Sequence, residues 1–151
     1  MIAKYNEKLY RYVANSRQRC IITSQSSKRE EDFIKDDEIF YRNVVEEELT
    51  DIFDVKFYVG YDAKLPDTPT EWAIENSAIG MLGKKVRLLF TEGYLPDWKV
   101  TDKYVCEKYV SVSELSYGKA VYKYKKKDGV ISELIEEQML CRRSLSNWLN
   151  H

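Results

Sequence analysis

Apolar positions along this chain change period several times, and the period sets the predicted element. Tyr5, Leu9, Tyr12 and Val13 stand at helical spacing, which predicts a helix over residues 4–17. Residues 19–24, with Cys20, Ile21 and Ile22 in succession, read as a short strand, and the polar stretch 25–37 reads as a surface loop. Residues 38–53 admit two readings. Phe40, Val44 and Ile52, with Tyr41, Val45 and Leu49, fit a helix, and periodicity prefers it. The alternative is a strand through Ile39–Glu46 followed by a turn at Thr50–Asp54. Residues 55–62 are rich in β-branched and aromatic side chains and predict a strand. Thr68, Pro69 and Glu71 then have the order of an N-cap, a first-turn proline and a capping box, which predicts a helix ending near Ser77 or Ile79. A glycine-flanked loop, Gly80–Gly83, leads to a strand over residues 85–91, and residues 92–118 read as loop with one or two irregular strands.

The C-terminal pattern is the sharpest. Asp128-Gly129 supplies positive φ at little cost and closes a predicted β-hairpin over residues 119–140. Counting by twos along its second strand, Ile131, Ile135 and Met139 share a face with Glu133 and Glu137. A carboxylate on an apolar face must be paired, protonated or functional. The bland reading is a half-buried face, or Glu137 paired with a basic residue.

Composition narrows the chemistry. A chain of 151 residues, 44% hydrophobic and 32% charged, is expected to form a single domain over 1–151 with one core. The net charge of −1 gives no basic excess to drive nucleic-acid binding. Cys20, Cys106 and Cys141 make an odd count without a C-x-x-C, which fits a reduced cytoplasm better than a disulfide framework or zinc site. No apolar run reaches transmembrane length, so no membrane partner is expected. The only histidine is His151, which removes His-based triads and His-rich metal sites. No phosphate-binding glycine motif occurs. Catalysis would fall to carboxylates, Arg, Lys, Tyr or Cys.

The order of elements resembles the chorismate pyruvate-lyase family and its chorismate lyase-like relatives. The likeness runs from Leu9-Tyr10-Arg11-Tyr12 through Ile21-Ile22-Thr23, then Tyr41-Arg42-Asn43-Val44-Val45, Leu65-Pro66, Leu82-Gly83-Lys84 and finally Ile135-Glu136-Glu137-Gln138-Met139-Leu140. It implies an α+β fold, a mainly antiparallel sheet with helices packed on it around a buried ligand cavity, and so a strand at residues 39–46. It also implies conversion of chorismate to 4-hydroxybenzoate and pyruvate without cofactor or metal. Arg42 would hold the ring carboxylate, as a planar guanidinium suits. Glu137, or its neighbour Glu136, would exchange a proton, its pKa raised by burial. Leu82 and Gly83 would close the cavity, and Lys84 or Lys85 would neutralise the second carboxylate. The chain departs from the family in lacking a Ser-Leu-Thr-type motif near Leu9 and in carrying Met81 where proline is common. Two other functions fit: a non-catalytic module binding a small aromatic carboxylate on the same fold, as in ligand-sensing domains of regulators, or a small protein-binding inhibitor or immunity protein. The acidic run Glu46-Glu47-Glu48 would steer the last toward a basic protein partner.

Overall fold

The computed structural model describes residues 1–24, 32–74 and 85–140. Among them strand makes up 60%, helix 5%, and no helix reaches seven residues. The expected α+β fold with helices packed on a sheet is therefore overturned: the protein is mostly antiparallel β-sheet.

Among the described residues thirteen strands run in chain order: β1 (Ile2–Tyr5), β2 (Lys8–Ala14), β3 (Arg19–Thr23), β4 (Ile34–Asp36), β5 (Ile39–Asn43), β6 (Asp51–Gly60), β7 (Glu71–Ile74), β8 (Lys85–Phe90), β9 (Lys99–Asp102), β10 (Val105–Ser111), β11 (Tyr117–Lys127), β12 (Val130–Ile131) and β13 (Ile135–Leu140). Single 3-10 turns stand at Glu46–Glu48 and Val112–Glu114. The chain forms two compact units, Met1–Val55 with Tyr122–Glu136 and Lys56–Val121 with Glu137–His151. The division falls inside β6, inside β11 and inside β13.

In the first unit the strand order is β12-β11-β6-β1-β2-β3-β5-β4. The predicted helix at 4–17 is instead the hairpin β1–β2, with Tyr5 opposite Lys8. Asn6 and Glu7 reverse the chain at φ 47° and 64°, a conformation no helix contains. The helical spacing of Tyr5, Leu9, Tyr12 and Val13 had mixed two faces of two strands. Ala3, Tyr10 and Tyr12 belong to the core with Ile21, Phe33, Phe40, Val44, Leu49 and Ile52, while Leu9 lies on the opposite face. The strand reading of residues 39–46 holds for β5, which stops at Asn43, but the turn comes at Glu46–Glu48 rather than at Thr50–Asp54, where Asp51 already opens β6. At the far end Asp128 and Gly129 take φ 50° and 80°, and Lys127 pairs with Val130 as the predicted hairpin requires.

The second unit has a three-stranded sheet in the order β8-β10-β9, together with β7, which pairs antiparallel with residues 57–60 of β6. Thr68 does not cap a helix; its hydroxyl donates backward to the Leu65 carbonyl at 2.7 Å. Residues 71–74 form β7, with Trp72 and Ile74 buried in alternation, and the rest of the predicted helix lies outside the described residues. The Trp72 indole stacks on Trp98 at 5.4 Å between centroids and donates its N–H to the Tyr61 carbonyl. Val59, Val86, Leu88, Cys106 and Val110 are fully buried in this unit. No helix of the described residues is long and apolar enough to cross a membrane.

Candidate functional site

Arg42 sits on β5, directly opposite Ile21 and so on the core-facing side of its sheet. Its guanidinium lies 4.8 Å from the centre of the Tyr5 ring and pairs with Glu48 at 3.2 Å. Glu48 also accepts from the Val45 amide at 2.9 Å. That amide, and then the Arg42 guanidinium, hold the Glu48 carboxyl below its ordinary pKa. Arg42 is thus satisfied within the first unit. Glu46 pairs with Arg19 at 3.0 Å, so two of the three acids in the run 46–48 are already engaged by basic side chains.

Glu137 lies on β13 with its side chain 62% exposed. The apolar face inferred around it is open as well: Ile131, Ile135 and Met139 are all exposed. The burial on which its proposed acid–base role rested is not found. Its neighbour Glu136 pairs with Lys127. Leu82, Gly83 and Lys84 lie outside the described residues. Lys85 opens β8 and is exposed.

Glu137 does join one polar cluster, in the second unit. Lys119 on β11 is largely buried and reaches Glu71 of β7 at 2.8 Å and Glu137 at 3.8 Å. Its ammonium lies 5.5 Å from the Tyr58 ring centre. The Tyr117 hydroxyl donates to the same Glu71 oxygen at 2.8 Å. These bonds from Lys119, then Tyr117, lower the Glu71 pKa, while the bond to Glu71 raises those of Lys119 and Tyr117. All three shifts move away from neutral pH, so Glu71 and Lys119 stay charged and Tyr117 stays neutral there. A general acid or base needs the reverse, a pKa brought toward the working pH. The cluster reads as an electrostatic clasp across strands.

The first unit offers a surface that sequence reasoning missed. Following the pairing register across the sheet, Phe53, Ile2, Arg11, Ile22, Tyr41 and Ile34 stand opposite one another on β6, β1, β2, β3, β5 and β4. Paired residues of antiparallel strands share a face, and this is the face away from Ala3, Tyr12, Ile21 and Phe40. At about 4.8 Å per strand the row spans roughly 24 Å. Leu9 and Ile39, two residues along from Arg11 and Tyr41, extend it. The row is closed at Phe53, which packs against Tyr122 and Tyr124, and open toward β4. There Leu9 is 61%, Ile34 52% and Ile39 39% exposed, beside half-buried Ile22 and Tyr41. Arg11 is exposed within it and has no carboxylate partner among the described residues. The helix predicted over 4–17 hid this surface, because it gave Leu9 and Arg11 the wrong neighbours.

Among the described residues no group of His, Cys, Asp and Glu could hold a metal ion. Compared with known proteins, the chain matches no family model, no curated protein and no solved structure. The resemblance to chorismate pyruvate-lyases thereby gains neither support nor refutation.

Proposed function

We propose that the protein is a non-catalytic protein-binding module that docks a partner on the open face of its N-terminal sheet. The observation that carries this reading is the exposed cluster Leu9, Ile34 and Ile39 beside Ile22, Tyr41 and Arg11. An antiparallel sheet that faces water normally alternates apolar-in with polar-out. Here the face away from the core carries apolar side chains on all four of β2, β3, β5 and β4, namely Leu9, Ile22, Tyr41, Ile39 and Ile34, and an exposed apolar patch rimmed by polar residues marks an interaction surface. Lys4 and Asp36 supply that rim. Tyr and Arg among aliphatic residues is also the composition of energetically dominant interface centres.

The lyase reading has less to stand on. It needed Arg42 and a buried Glu137 free to meet substrate, whereas Arg42 is held by Glu48 and Tyr5, and Glu137 is exposed beside Lys119. The test of the docking reading is a displayed library of peptide fragments from the proteome that encodes the protein. Selection on the wild type should enrich fragments whose binding disappears on a Leu9→Asp/Ile34→Asp variant that keeps its circular dichroism. Enriched fragments indifferent to that variant would place binding elsewhere and sink the proposal.

A further inference from the structure

We infer that Arg11 selects the partner: the open face takes a protein segment that presents a carboxylate ringed by apolar side chains. The inference rests on the docking reading above and adds the chemistry of the occupant. Arg11 stands in the middle of the row, flanked across the strands by Ile2 and Ile22 and along its own strand by Leu9. A cation in that place costs nothing while water reaches it. Once a partner covers the apolar neighbours, water is excluded and an unpaired guanidinium becomes expensive. The complex therefore favours a partner that brings its own anion. A carboxylate can take two parallel N–H bonds from the guanidinium fork, which fixes orientation as well as charge.

The same placement argues against two other occupants. A second copy docking about a twofold axis centred near Arg11 would bring Arg11 against Arg11, and like charges directly opposite are destabilising. An anionic lipid surface would meet Asp36 and Asp51 on the same face as Arg11. A protein segment can match one cation and leave the acidic rim in solvent.

Short random peptides displayed on phage, selected on the full-length chain, test the idea. Enriched peptides should carry Asp or Glu between apolar residues. Replacing that acid by Asn or Gln should weaken binding about tenfold or more on the wild type, and should have no effect on Arg11→Met. Arg11 is exposed, so this variant should fold, and circular dichroism checks it. If the peptides depend on Leu9 and Ile34 but ignore both the acid and Arg11→Met, the selection role of Arg11 falls while the docking reading stands. If no enriched peptide depends on Leu9 and Ile34, both fall. Arg11-dependent sedimentation with phosphatidylglycerol vesicles, or Arg11-dependent dimerisation in analytical ultracentrifugation, would overturn the peptide partner in favour of lipid or self-association.

Discussion

Glu71 receives two hydrogen bonds, from Lys119 and from Tyr117, that hold its carboxyl below its ordinary pKa. A depressed folded-state pKa contributes stability that is present above the unfolded value and lost as pH falls through the folded one. The stability gap between the wild type and Glu71→Gln should therefore be largest at neutral pH and shrink as pH falls through and below the ordinary glutamate range, about pH 4. Urea melts across that range check it, and a gap that stays constant would mean the clasp contributes nothing through its charge. Gly60 is a second residue under local constraint. A Cβ there would land on the Tyr117 ring and the Ser116 hydroxyl. Gly60→Ala should destabilise by about 1–3 kcal/mol, and it should disturb Glu71 because Tyr117 must give way.

At the scale of elements, what the sequence announced depended on turn chemistry. Asp128-Gly129 is a favoured pair for a two-residue hairpin turn, and the C-terminal hairpin was legible from it. Asn6-Glu7 builds a turn of the same kind, but Glu at φ 64° is a poor signal, and the first hairpin read as a helix. The prediction runs in the stabilising direction. Glu7→Gly should raise stability by about 0.5–1 kcal/mol, since glycine takes that φ without strain. The lost ion pair to Lys4 is exposed and subtracts little. A fall in melting temperature would contradict the turn as described. The helix expected from Thr68 failed for a related reason. Its capping residues bond elsewhere, Thr68 to Leu65 and Glu71 to Lys119 and Tyr117, and Trp72 and Ile74 bury with a period of two.

For the whole molecule, β3, β8 and the later part of β6 were visible in runs of β-branched and aromatic residues, whereas the start of β6 and the all-β class were not. A short strand with one exposed apolar residue, such as Leu9 in β2, imitates helical spacing until its turn is known. The candidate surface was illegible for the same reason, because a sheet face exists only once strands are in register. The lyase expectation meets its own test here. A module of the proposed kind should release no pyruvate from chorismate, measured with a coupled lactate dehydrogenase assay. Release that is lost in Glu137→Ala would restore the enzyme and remove the docking proposal.

The first unit is assembled from two separated lengths of chain, Met1–Val55 and Tyr122–Glu136. Protein synthesis delivers them apart in time, because residues 56–121 must all emerge in between. At 5–20 residues per second that interval is roughly 3 to 13 s. Throughout it β6 can pair with β1 on one side but still lacks β11 on the other, and Phe53 lacks Tyr122 and Tyr124. A nascent chain in this condition offers an open hydrogen-bonding edge beside a bare aromatic ring, the combination that invites chaperone capture or premature pairing with a neighbour on the same polysome. Ribosome-bound chains stalled before residue 117 should accordingly be far more protease-sensitive than chains stalled after the hairpin has cleared the exit tunnel.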